Sequence, residues 1–146
     1  MRVYQLYLIE EEFANHYFGR ERMFFELFLE SKHSFGELKT IINKQIQYIT
    51  KPIPALRLHQ MVHQHLSKIK GYCAENGYYK VELSGKTSNA WLRIEDGYIT
   101  VEADGSYEAE AIFFEVLRKC ESSFLAIDIE HQRYGWLKPI KERKFV

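Results

Sequence analysis

Charge of one sign is what this 146-residue sequence most plainly lacks: 20 Lys and Arg are balanced by 20 Asp and Glu. No overall field draws such a chain to DNA, RNA or an anionic membrane, which counts against a nucleic-acid partner. Cysteine is scarce as well. Cys73 and Cys120 form no metal-type pair, and a protein of this size needs no disulfide to fold, so both read as thiols in a reducing cytoplasm. No apolar run is long enough to cross a bilayer. The N-terminal RVYQLYLI runs into acids, without the apolar length or the small-residue cleavage site of a signal peptide. The expectation is a soluble cytoplasmic protein. Internal repeats and low-complexity segments are also missing.

What is present is 46% hydrophobic and 15% aromatic residues, enough for one domain over residues 1–146 with some rings left for an interface. The stretch Glu10 to Leu29 anchors the reading. Three acids open it, as suits the positive end of a helix dipole, and Phe13 and Tyr17 follow one turn apart. Gly19 offers a break. Beyond it Phe24, Leu27 and Phe28 fall three and four apart, with Met23, Phe25 and Leu29 spreading round the cylinder, so this half must be covered on most sides. The first half differs, its two aromatics sitting among Glu, Asn, His and Arg. Such a patch is either the edge of a core or a docking surface.

Arg2 to Ile9 is apolar on both alternating faces, as in a strand covered on two sides. Ser34 is placed to cap a helix whose Leu38, Ile41, Ile42, Ile46 and Ile49 form one stripe, with Gln47 pointing almost opposite. Lys51-Pro52-Ile53-Pro54 ends that helix and opens another that is expected to reach about Ile69, with Ala55, Leu58, Val62, Leu66 and Ile69 buried. Tyr78 to Ser84, Ala90 to Glu95 and Tyr98 to Ala103 then alternate, and Asp96-Gly97 is a hairpin signal, which predicts a three-stranded antiparallel meander. Ser106 is placed to cap a helix burying Ala109, Ile112, Phe113, Val116, Leu117 and Cys120, with Phe114 off the stripe. Phe124 to Ile129 has the character of a sheet core, and Tyr134 to Leu137 that of an edge strand before the basic tail Lys138 to Val146. The expected class is α+β: a single domain with a mixed β-sheet packed by four to five helices.

Catalytic and metal signals are weak. His59 and His63 stand one turn apart, but a metalloprotease would carry Glu where Gln60 stands, and His65 falls on the opposite flank. Surface histidines are the better reading. Ser84-Gly85-Lys86-Thr87 resembles the end of a phosphate loop, yet Lys80 occupies the place of the upstream Gly and the segment joins two predicted strands. Neither cysteine has a neighbouring His or Lys arrangement to activate it. No nucleophile stands out.

Four blocks carry a family resemblance: EEFANHYFGRE at 11–21, KQIQYITKPIP at 44–54, YEAEAIFFEVLRK at 107–119 and RYGWLKPIKERKFV at 133–146. They resemble SirA, the sporulation inhibitor of replication family of endospore-forming bacteria. The resemblance implies a protein inhibitor and no enzyme, one that binds the N-terminal domain of the initiator DnaA, with no cofactor, metal, membrane or small-molecule substrate. It further implies a docking surface using an aromatic pair and a glutamine, which match Phe13, Tyr17 and Gln47. Tyr48 and Pro52 are placed to flank them, and His16 and Arg20 to form a rim. The alternatives are a small cytoplasmic α+β enzyme, or a nucleic-acid-binding module acting through the basic tail.

Overall fold

The computed structural model describes residues 1–85 and 87–138. Lys86 and all of the basic tail after Lys138 therefore lie outside the described residues. Strand β1 (Arg2–Leu8) is followed by four helices, α1 (Glu11–His16), α2 (Arg22–His33), α3 (Gly36–Ile49) and α4 (Ala55–Leu66). Four strands come next, β2 (Tyr72–Glu75), β3 (Tyr78–Leu83), β4 (Ser88–Ile94) and β5 (Ile99–Gly105), then α5 (Glu108–Cys120), β6 (Phe124–Asp128) and β7 (Arg133–Trp136).

The strands form one seven-stranded sheet in the order β2-β3-β4-β5-β1-β6-β7. The α+β class, the meander β3-β4-β5 and the edge strand β7 are as the sequence implied. One correction concerns direction, since every described pairing is antiparallel and the sheet is not mixed. Helix α5 does carry the chain from β5 across to a parallel β6, but β1 lies between those two strands and pairs antiparallel with both. A single inserted strand thus removes the parallel neighbours that a β-α-β crossover would otherwise create.

Period-two alternation divides the side chains of β1 between two cores, as a strand apolar on both faces requires. Leu6 and Leu8 join α4, α5 and the meander in the larger cluster, around Leu58, Val62, Leu92, Val101, Phe113 and Leu117. On the other face Tyr7 and the following Ile9 meet Phe24, Phe25 and Phe28 of α2, with Leu125 and Ile127 of β6.

Three local expectations are corrected. Ser34 does not cap α3, whose N-cap is Phe35 with no side-chain bond. Ser106 does not cap α5 either; the Ser88 hydroxyl, reaching over from β4, accepts from the Ala109 N–H at 2.9 Å and donates to the Ser106 carbonyl at 2.8 Å. A long-range cap replaces the local one because β4 begins beside the first turn of α5, and Gly105 lets the backbones close up: a Cβ there would stand 1.9 Å from the Thr87 carbonyl oxygen. Third, α4 ends at Leu66, leaving Ile69 in the turn before the extra strand β2. Phe114, off its helix's stripe, is covered edge-on by Tyr4 at 5.2 Å.

Candidate functional site

The site grows from the corner that ends α3. The Lys51 N–H donates to the Leu8 carbonyl at 2.7 Å, and the Glu10 N–H donates to the Ile49 carbonyl at 2.8 Å. Ile9 and Thr50 form a bridge between these two bonds. The end of β1 is thereby tied to the end of α3, and the first turn of α1 must start beside the last turn of α3. Helix α1 is short because Gly19, at φ +81°, turns the chain after Tyr17 into α2. Glu21 holds this turn, its carboxylate accepting from the Gly19 N–H at 3.1 Å and from the Trp136 indole of β7 at 3.3 Å. Burial pushes the Glu21 carboxyl up, but the bonds it accepts outweigh this and hold it below its ordinary range.

These constraints bring Phe13 and Tyr48 together, edge to face at 5.3 Å. Tyr17 leans on Phe24 at 5.5 Å, and Phe24 in turn meets Trp136 at 6.1 Å. Between α1, α2 and α3 lies an open groove of about 620 Å³. Phe13 and Tyr17 line it from α1, and Met23, Phe24 and Leu27 from α2. Helix α3 contributes Ile41, Lys44, Gln45, Tyr48 and Ile49. An apolar concavity of this size, in which the Phe13, Tyr17 and Tyr48 rings remain accessible while Phe24 forms the buried floor, has the composition of a protein-docking surface.

Of the residues named from the sequence, the groove gathers Phe13, Tyr17 and Tyr48. Phe13 and Tyr17 are half-buried against the second core, whereas Tyr48 is 74% exposed. His16 and Arg20 border Tyr17: the imidazole lies edge-on to the phenol at 4.9 Å, and the guanidinium sits over it at 5.3 Å. Gln47 is exposed, as its place on the helical wheel implied, but it is not among the groove's lining residues; neither is the exposed Pro52.

From the sequence, Met23, Phe24, Leu27, Ile41 and Ile49 read as covered residues, and Lys44 and Gln45 had no role at a site. A usable signal was the spacing of Ile41, Gln45 and Tyr48 on one side of α3. Counting Leu38 and Ile41 into the core stripe concealed it. Only Ile42 of that helix is fully buried, while Leu38 is 53% and Ile41 50% exposed.

Outside this groove, His59 is bonded through Nδ1 to the Tyr79 hydroxyl on β3, and His63 and His65 are exposed. Among the described residues no group of three or more His, Cys, Asp and Glu stands close enough to hold a metal ion. Both cysteines are free, and burial pushes the Cys120 thiol up, away from reactivity. No described helix is long and apolar enough to cross a membrane.

Comparison with known proteins adds two findings. The family model described as "Sporulation inhibitor of replication protein SirA" matches residues 2–141. The sporulation inhibitor of replication protein SirA of Bacillus subtilis (strain 168) is 48% identical over 147 aligned residues, which cover 99% of each chain.

Proposed function

The chain belongs to the SirA family, and from that premise we propose that it is an inhibitor of chromosome replication that docks on the N-terminal domain of the initiator DnaA through the α1–α2–α3 groove. The observation that carries this reading is the open apolar groove lined by Phe13, Tyr17 and Tyr48. The half-exposed Phe13 and Tyr17 rings and the exposed Tyr48 ring leave apolar area in water around this concavity, and a partner that fills it removes that area from water. Gln47, His16, Arg20 and Pro52 lie outside the lining and serve as polar and turn contacts at its margin. The mode of action is occupancy: the docked inhibitor covers a DnaA surface needed to assemble the initiation complex. The name of the Bacillus subtilis relative, an inhibitor of replication, supports the same reading.

Tyr17→Ala tests it. The ring rests on Phe24 but is only half-buried, so its loss should cost on the order of 2 kcal/mol in binding, roughly thirtyfold, with the fold retained. Calorimetric titration with the isolated DnaA N-terminal domain, beside a melting curve, reads both quantities. A variant that unfolds while its residual folded fraction binds normally would mark Tyr17 as core and sink the assignment.

A further inference from the structure

The α3 face that the sequence assigned to the core does more than complete one edge of the groove. Leu38, Ile41, Gln45 and Tyr48 follow at spacings of three and four residues, which places them in one line along the helix. That line is roughly 15 Å long at about 1.5 Å per residue. Leu38 is exposed and stands a turn beyond the groove's lining, so the apolar track continues past the rings toward the start of α3. Lys44 is the one charged side chain in the lining, and it has no carboxylate partner among the described residues.

We propose that this surface receives one face of an amphipathic helix, with large apolar side chains along Leu38, Ile41 and Tyr48 and a carboxylate set against Lys44. The proposal deepens the docking reading and rests on it. Length and charge select the occupant. Three turns of helix match the track, and an ammonium bordering an apolar groove favours a partner that brings an acid to it over one that brings only hydrocarbon. A second copy of this chain fits poorly. Across a two-fold axis the same surface meets itself, which would bring two lysine-bearing grooves together with no acid in either lining.

The test titrates the full chain with the isolated DnaA N-terminal domain, comparing Lys44→Met, Lys44→Glu and the double variant Leu38→Ser/Ile41→Ser with Tyr17→Ala. Lys44→Met should weaken binding about fivefold and flatten its salt dependence between about 50 and 200 mM, and Lys44→Glu should weaken it further. The double variant should lose about tenfold with its melting temperature unchanged. If the Lys44 and track variants bind within about twofold of the parent while Tyr17→Ala fails, the helix-and-acid proposal is overturned and the docking site stands. If Tyr17→Ala binds like the parent, the docking site fails and the proposal falls with it. A free chain that sediments as a dimer, and becomes a monomer when Ile41 is replaced, would assign the track to a second copy and also overturn the proposal.

Discussion

Tyr48→Ala separates docking from folding more cleanly than any other change at the groove. The ring is 74% exposed, and its one aromatic neighbour is Phe13, edge-on at 5.3 Å. A tyrosine buries about 200 Å² when covered, so a partner enclosing the exposed share of this one would remove about 150 Å² from water. At about 25 cal/mol per Å² that is nearly 4 kcal/mol. Fixing the side chain costs about 1 kcal/mol, and the phenol's polar end recovers less than its rings do, leaving about 2 kcal/mol. The expected result is a Kd about thirtyfold weaker by calorimetry. Stability should change by no more than about 0.5 kcal/mol, or roughly 2 °C in Tm, because little of the ring is packed in the free protein. Phe13→Ala provides the contrast: its ring is packed against the second core, so it should lose both binding and stability. A Tyr48→Ala protein that binds within about threefold of the parent would refute the area argument and remove the exposed ring from the interface.

Other outcomes follow from the scaffold. Ser88→Ala deprives the Ala109 N–H of its acceptor and the Ser106 carbonyl of a donor, and a melting curve should show a loss of about 2 kcal/mol, or roughly 6 °C. Gly105→Ala should be worse, about 3 kcal/mol or more by denaturant titration, since the added Cβ meets the Thr87 carbonyl at 1.9 Å from a backbone at φ +78°. Stability should also fall at both ends of the pH scale. Burial pushes the Asp128 carboxyl up, but bonds from Arg133 and His131 outweigh this and hold it below its ordinary 3.8. Its contribution is therefore complete above 3.8 and lost as pH falls through the folded value. Burial pushes the Tyr7 phenol from 10.0 up to about 12, so the neutral ring favours the fold below pH 10, and this stability is lost as pH rises toward 12. In urea midpoints measured against pH, Tyr7→Phe should remove part of the alkaline loss.

The parts of the fold legible in the sequence are those specified by local periodicity. The alternation of Tyr78 to Ala103 and the Asp96-Gly97 turn gave three strands whose pairing runs Val81 to Ala90 and Leu92 to Val101 in register. The stripe of α5 is buried at Ala109, Phe113, Val116, Leu117 and Cys120, as its spacing demanded. What was not legible depends on distant residues. No local pattern says that β1 will insert between β5 and β6, or that Ser88 will cap a helix twenty residues on. The groove fell between the two cases. Phe13 and Tyr17 showed as rings in polar company, but the unfilled side of α3 could not be seen, because an apolar stripe reads the same whether its own fold covers it or leaves it open.

That ambiguity bears on how the site works. Phe13 and Tyr48 are 35 positions apart in the chain, and two free segments bearing them would lose much freedom on meeting around a partner. Here the freedom is already lost. Two backbone bonds and a bridge tie the start of α1 and the end of α3 to β1, and β1 is paired along both edges, with β5 and β6. The ordering of the rings is thus part of folding, and binding need not supply it. Weakening the tie should therefore cost affinity without touching any groove side chain. Pro at position 10 removes the N–H that donates to Ile49 while leaving the position before the first turn of α1 compatible with its φ of −55°. Glu10→Pro should bind the DnaA N-terminal domain several-fold more weakly, through a larger entropic cost in calorimetry, with Tyr48 chemically intact. Unchanged affinity in a protein whose Tm has dropped would show that the rings are ordered by their own contacts and not by the corner.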